Sequence, residues 1–143
     1  MTGDFETAIR KAEEILSRDG LQPQFRNFLQ SYLIRSVVLN QPELSREELD
    51  AMISGLTITD PTLAEKTQKM SLTLYDLTIA HESNDYFETL TNEYKYPQLE
   101  IIYYKALNAA VKGDTNRAHE LLSQLDGEDE RLYVVRMGKE LYK

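Results

Sequence analysis

The residues best suited to acid–base chemistry in this sequence are two histidines, His81 and His119, which fall on different predicted helices. A histidine moves protons near neutral pH, but a hydrolytic or metal site also needs partners at a fixed spacing. The chain has no cysteine, no HExxH or GxSxG motif and no glycine-rich phosphate loop. Adjacent acids such as Glu13 and Glu14 point apart on a helix. The sequence therefore predicts a protein that is not an enzyme and that uses no cofactor or metal.

The spacing of apolar residues predicts about eight α-helices and no β-strand, which defines an all-α fold class. Clear start signals support this: Ser45 begins a capping box, and Asp60 precedes Pro61 at a first helical position. Leu56 and Ile58 alternate briefly with polar residues, but one strand without a partner does not make a sheet. The predicted helices begin near residues 5, 23, 46, 61, 85, 97, 115 and 130.

The predicted helices differ in how much of their circumference is apolar. Residues 70–80 and 101–111 are apolar on most sides, so we expect inner helices with several neighbours. The segments from Asp4 and from Thr115 are apolar on one side, so we expect outer helices. The second predicted helix, residues 23–39, carries the apolar residues Phe25, Phe28, Leu29, Tyr32, Leu33 and Val37.

A short sequence motif, here called the repeated phrase, occurs twice, as GDFETA at residues 3–8 and as GDTNRA at residues 113–118. Glycine tolerates the left-handed backbone of a tight turn, and aspartate caps the helix that follows. A small residue one turn later lets two helices approach closely. The phrase therefore predicts a corner between two paired helices, with Ala118 buried where they touch. NDYFET at residues 84–89 is a weaker copy.

These corners resemble those of the tetratricopeptide repeat, whose hairpins carry Gly-Asp-aromatic-x-x-Ala between their two helices. The C-terminal third matches best, because LEIIYYKALNAAVK precedes the corner and Leu122 and Leu125 fit the helix after it. Thr115 replaces the aromatic residue of the motif. Corners near residues 41, 84 and 113 are 43 and 29 residues apart, against about 34 in the family.

The resemblance implies one tetratricopeptide-like domain over residues 1–143, built of stacked antiparallel helical hairpins. Two arrangements stay open, a right-handed superhelix and a compact helical-repeat bundle. Gly3 and Asp4 form a corner whose first helix is missing. Either a lone helix caps the N-terminal end, or the chain is a piece of a longer protein. The amphipathic C-terminal segment is expected to cover the last hairpin, with homodimer formation as the alternative.

Stacked hairpins would line a concave face with their inner helices. Tyrosine, histidine and arginine side chains suit such a face because they combine apolar area with polar groups that bind a peptide or a helix. The alternative is that tyrosines at helical spacing fill the core. Counting back from the corners, the predicted binding residues are Arg35, Val38, Tyr75, Thr78, His81, Glu100, Tyr103 and Tyr104.

The charge balance narrows the expected partners. The net charge is −8, from 24 acidic and 16 basic residues, and no basic stripe is present. We therefore expect no direct nucleic-acid binding. No apolar run approaches the roughly 20 residues that cross a bilayer, so no membrane insertion is expected. The first 20 residues do not resemble a signal peptide, and a cytoplasmic location is the expectation.

The sequence predicts a non-enzymatic interaction module or scaffold that binds a protein or peptide on a concave helical surface. One alternative is the sensing part of a peptide-sensing bacterial transcription regulator of the Rgg or PlcR type, without its DNA-binding part. A second is a small secretion chaperone, which the acidic charge allows. A third is an enzyme, which would need a deep pocket that holds His81 and a buried carboxylate.

Overall fold

The protein is described here by a computed structural model, which covers residues 4–93, 97–128, 132 and 135–137. These residues are all-α and contain no strand, so the predicted fold class is confirmed. The predicted helix from 130 to 141 lies outside the described residues except at 132 and 135–137. The helices are α1 (Phe5–Leu16), α2 (Pro23–Asn40), α3 (Arg46–Ser54), α4 (Pro61–Tyr75), a π-helical segment (Asp76–Ala80), α5 (Tyr86–Glu93), α6 (Gln98–Val111) and α7 (Thr115–Ser123).

The contacts of the chain divide it into two compact units. The N-terminal unit, Asp4–Tyr75, contains α1 to α4. The C-terminal unit begins at Asp76 and contains the π-helical segment and α5 to α7. The boundary lies where α4 ends and the π-helical segment begins.

Four helix starts have the caps that the sequence predicts. Asp4, Ser45, Asp60 and Asp114 each accept a backbone N–H of the first turn, at 3.0–3.3 Å. At Ser45 the capping box is complete, because the side chain of Glu48 accepts the Ser45 N–H at 3.3 Å. These caps satisfy amide groups that the helix itself leaves unpaired, so they set the element boundaries locally.

α2 is the central helix of the N-terminal unit and packs against α1, α3 and α4. α1 is one-sided, as predicted, and buries Phe5 and Ala12. Ala8, the alanine of the first repeated phrase, is only half-buried. Seven residues on several sides of α2 are buried: Asn27, Leu29, Gln30, Ile34, Ser36, Val37 and Val38.

α6 is the central helix of the C-terminal unit and packs against α5, α7 and the π-helical segment. Its predicted inner position is confirmed by burial around most of its circumference. The predicted corner is confirmed as well. Gly113 has a φ of +84°, and Ala118 is 4% exposed on the helix that packs against α6.

The predicted helix from residue 61 to about His81 has the expected length but not a uniform geometry. Its last five residues, Asp76–Ala80, are π-helical, a rare form that is frequent at functional sites. The segment ends with the Glu82 N–H donating to the Asp76 carbonyl at 2.7 Å. His81 follows with a left-handed φ of +55° and is exposed to solvent.

Candidate functional site

Three of the predicted binding residues lie in the N-terminal unit. The guanidinium of Arg35 lies 5.9 Å from the centre of the Tyr32 ring, and that of Arg46 lies 5.9 Å from the centre of the Tyr75 ring. Arg35 and Tyr75 are half-buried. Val38 is buried, because α2 is the central helix of its unit, so its side chain belongs to the core and not to an open groove.

Five of the predicted binding residues lie in the C-terminal unit. Tyr103 and Tyr104 are 3% and 1% exposed, and their ring centres lie 5.5 Å apart. They fill the core, because α6 is covered by α5, α7 and the π-helical segment. Thr78 and Glu100 are half-buried, and His81 is exposed. For the two buried tyrosines, the core interpretation replaces the groove interpretation.

The exposed side of α2 carries a stripe of aromatic residues. Phe25 and Phe28 are 45% and 58% exposed, and within the described residues they are the large apolar side chains exposed to solvent. The Phe28 and Tyr32 rings stack at 6.3 Å with an interplanar angle of 20°. Arg35 follows one turn later over Tyr32. These four residues, here called the aromatic stripe, are spaced three, four and three apart and form one surface about 15 Å long.

The two charged residues of α2, Arg26 and Arg35, are both cations. α2 contains no Asp or Glu, although the chain carries a net charge of −8. Burial and the charge of Arg35 lower the pKa of Lys66 on α4, the helix that packs against α2. The other cation of α2, Arg26, donates to the carbonyls of Leu16 and Arg18 after α1, at 3.3 and 3.2 Å. The stripe is therefore apolar along its length and cationic at its C-terminal end.

The opposite side of α2 is held in place by polar contacts. The carboxamide of Asn27 bonds Thr59, and Gln30 Oε1 accepts the Thr57 N–H at 2.7 Å. The Thr67 hydroxyl of α4 donates to the Ser31 hydroxyl at 2.9 Å. Because the buried side is fixed in this way, the aromatic stripe is presented on a rigid helix and not on a loop.

A second polar cluster surrounds Asn108, which is buried in α6. Its Oδ1 accepts the Asn84 N–H at 2.8 Å, and its amide donates to Asp85. Lys112 Nζ also donates to Asp85, at 2.9 Å, and Asn84 Nδ2 donates to Asp76 at 2.8 Å. The hydrogen bonds from Lys112 and Asn108 lower the pKa of Asp85. These hydrogen bonds hold the loop between the π-helical segment and α5 against α6.

Two shallow cavities accompany these features. One, of about 190 Å³, lies between α5, α6 and α7 beside Asn108, and the other, of about 360 Å³, lies beside Asn27 and Thr59. Neither is lined by a histidine. The polar side chains of Asn108 and Asn27 beside these cavities already form hydrogen bonds within the protein.

Sequence reasoning missed Phe25 and Phe28 as surface residues. Both belong to the apolar pattern of the second predicted helix, which includes the buried Leu29 and Val37. Periodicity alone therefore did not separate the exposed from the buried side. A usable signal was the absence of acidic residues from α2 in an acidic chain.

Comparison with known proteins gives no match: no model of a protein family, no curated protein and no solved structure matches this chain. No helix within the described ranges has the length and apolar character needed to cross a bilayer. In that same part of the chain, no group of three or more acidic, histidine or cysteine side chains is placed to hold a metal ion.

Proposed function

We propose that this chain is a non-enzymatic protein-binding module that contacts its partner through the aromatic stripe. The observation that carries the proposal is the exposure of Phe25 and Phe28 on one face of α2, continued by Tyr32 and Arg35. Scattered exposed apolar residues are ordinary, but contiguous apolar patches mark interaction sites. Aromatic residues and arginine are also the types that dominate binding energy at protein interfaces.

The two phenylalanines add to the free energy of binding when a partner covers them. Fully burying an exposed phenylalanine contributes about 1.5–3 kcal/mol, and Phe25 and Phe28, at 45% and 58% exposure, each offer about half of that. Tyr32 is stacked against Phe28, so less side-chain entropy is lost when a partner covers it. Of the predicted groove residues, the proposed surface includes Arg35. It does not include Val38, Tyr103 or Tyr104, whose side chains are buried.

The helical pairing of the chain supports the same class of function. α6 and α7 form a hairpin at Gly113 with the buried Ala118 that the repeated phrase predicts. The tetratricopeptide resemblance implies that such hairpins present helix faces to other proteins. In the present proposal that face is the aromatic stripe of α2, and the tetratricopeptide geometry itself stays a prediction.

Site-specific photo-crosslinking in cells that express the chain naturally tests the proposal. A benzophenone amino acid replaces Phe28 in one variant and the exposed His119 of α7 in a control variant. We expect one reproducible protein adduct from position 28 and none of the same mass from position 119. The adduct should weaken when Phe25→Ser is added, with circular dichroism showing an unchanged fold.

The partner is then identified by mass spectrometry, purified and titrated against the wild type and Phe28→Ser. A loss on the order of tenfold or more in affinity is expected for a residue at the centre of the interface. Equal adducts from positions 28 and 119, or equal affinities of wild type and Phe28→Ser, would overturn the proposal.

A further inference from the structure

We propose that residues 56–60 pair with the same residues of a second copy of this chain, as two antiparallel strands. The pairing goes beyond the function proposed for the aromatic stripe and uses a different surface of the N-terminal unit. It follows from the backbone hydrogen bonds of this segment, which pair one of its edges and leave the other without partners among the described residues.

The segment that links α3 to α4 has the geometry of a strand. Residues 56–60 contain no helix, turn or bend. The Thr57 N–H donates to Gln30 Oε1 at 2.7 Å, and the Thr59 N–H donates to Asn27 Oδ1 at 3.1 Å. Because alternate N–H groups of an extended chain point to the same edge, these two bonds place one edge of the segment against α2.

The opposite edge carries backbone groups that have no partner within the described part of the chain. They are the N–H groups of Ile58 and Asp60 and the C=O groups of Leu56 and Ile58. The groups at the two ends of this edge are already used. The Leu56 N–H donates to the Ile53 C=O at 3.2 Å, and the Ala64 N–H donates to the Asp60 C=O at 2.9 Å. Since buried backbone groups are almost always paired, the unpaired groups belong at the surface.

These unpaired groups are complementary to those of a second copy. In an antiparallel pair, residues directly opposite each other exchange N–H···O=C bonds at every second position. With Ile58 opposite Ile58 of the second copy, the two residues exchange two hydrogen bonds. The Asp60 N–H of each copy then meets the Leu56 C=O of the other, which adds two more. Every unpaired group of the edge is used, and the groups already bonded to Ile53 and Ala64 need no further partner.

The side chains suit the same two-fold arrangement. A contact between identical surfaces requires donors and acceptors placed symmetrically about a centre, and here that centre is Ile58. Isoleucine is β-branched and apolar, and such residues stabilise strands when they lie directly opposite each other. Ile58 is only half-buried in the single chain, so part of its side chain is available for this contact. The acidic Asp60 falls opposite Leu56 and not opposite a second Asp60.

The size of the edge predicts a reversible dimer. Five residues span about 17 Å of strand, and two such strands bury less than the roughly 1,200–2,000 Å² of a stable interface. The bonds to Asn27 and Gln30 hold the segment extended before it pairs, which lowers the entropy cost of association. We therefore expect self-association that depends on protein concentration.

Charge swaps at Ile58 test the pairing, because only a two-fold pair places this residue opposite itself. Sedimentation equilibrium is measured for the wild type, Ile58→Lys, Ile58→Glu and an equimolar mixture of the two variants. We expect each variant alone to self-associate on the order of tenfold more weakly than the wild type, because like charges directly opposite repel. The mixture should regain association, because the lysine of one variant then lies opposite the glutamate of the other.

Two controls separate this surface from others. Lysine and glutamate placed at the exposed Ala110 of α6 should leave self-association unchanged, alone and mixed. Phe28→Ser should also leave it unchanged, because the aromatic stripe takes no part in the pairing. The proposed function is decided separately, by crosslinking from position 28.

A backbone variant covers the case in which a charge at residue 58 unfolds the chain, which circular dichroism detects. An ester in place of the Ile58 amide replaces its N–H by oxygen. This variant should keep the stability of the wild type, since that N–H has no partner within the described part of the chain, but it should self-associate more weakly.

Four results would overturn the inference. The first is a wild type that stays monomeric at the highest concentration reached, and the second is a mixture that associates no better than either variant alone. The third is self-association that Phe28→Ser abolishes, which places the contact on the aromatic stripe. The fourth is a wild-type self-association that the Ile58 ester leaves unchanged while the ester weakens binding of the crosslinked partner, which assigns the edge to that protein.

Discussion

The side chain of Asn27 is joined to Thr59 by two hydrogen bonds, although the two residues lie 32 positions apart in the sequence. Asn27 Nδ2 donates to the Thr59 hydroxyl at 2.9 Å, and the Thr59 N–H donates to Asn27 Oδ1 at 3.1 Å. One turn later, Gln30 Oε1 accepts the Thr57 N–H at 2.7 Å. The side chains of Asn27 and Gln30 thus accept backbone N–H groups of the segment between α3 and α4, as a neighbouring strand would.

We predict that Asn27→Ala lowers the free energy of unfolding by about 1–2 kcal/mol, because both hydrogen bonds to Thr59 are lost. Urea denaturation followed by circular dichroism measures the change. Gln24→Ala is the matched control, since Gln24 is exposed on the same helix, and it should be neutral within about 0.5 kcal/mol. Equal stability of Asn27→Ala and Gln24→Ala would contradict the structural role of the pair.

The features that the sequence predicts correctly are local. A cap such as Asp114 and a turn residue such as Gly113 act on backbone groups within three residues, so residue type and spacing suffice. Ala118 could be placed because the corner fixes its position on α7. The all-α class follows from the same local signals, repeated along the chain.

The features that the sequence does not predict depend on distant contacts. Phe28 and Leu29 are neighbours of similar type, and only the packing of α1 and α4 on α2 leaves the first exposed and the second buried. Tyr103 and Tyr104 are equally compatible with a groove or a core until α5 and α7 are placed around them. The bond between Asn27 and Thr59 has no sequence signal at all.

We predict that Ala118→Leu lowers the free energy of unfolding by about 1–3 kcal/mol, because the larger side chain overpacks the contact between α6 and α7. Ala110→Leu is the control, since Ala110 is exposed on α6 and tolerates the same change. Thermal and urea unfolding of both variants measure the difference. A neutral Ala118→Leu would show that the corner at Gly113 does not bring the two helices into close contact.

We predict that Lys112→Met raises the pKa of Asp85, because it removes the hydrogen bond that contributes most to lowering it. In the wild type, the contribution of Asp85 to stability is complete above its ordinary pKa of 3.8 and is lost as pH falls through the lower folded value. An NMR titration of the Asp85 carboxyl carbon measures the shift. Lys11→Met, which removes an exposed charge on α1, should leave the Asp85 titration unchanged.

We predict that stability also rises with pH at Lys66, but in the alkaline range. Its pKa is lowered in the folded protein, so the unfolded chain binds the proton more tightly than the folded chain. The free energy of unfolding of the wild type, relative to Lys66→Met, should therefore rise as pH increases toward the ordinary value of 10.5. Denaturation at several alkaline pH values measures the difference, and Arg35→Gln should reduce its slope. A difference that is flat or falls with pH would contradict the lowering of the Lys66 pKa in the folded protein.

We predict that the same truncation costs much more stability at Phe87 than at Phe28. Phe87→Ala should lower the free energy of unfolding by about 3–5 kcal/mol, because that ring is fully buried in the C-terminal unit. Phe28→Ala should cost no more than about 1 kcal/mol, since the ring is exposed and loses only its stacking on Tyr32. Urea denaturation of both variants makes the comparison within one protein. A large loss for Phe28→Ala would mean that its ring is held within the fold, and the aromatic stripe would then not be available to a partner.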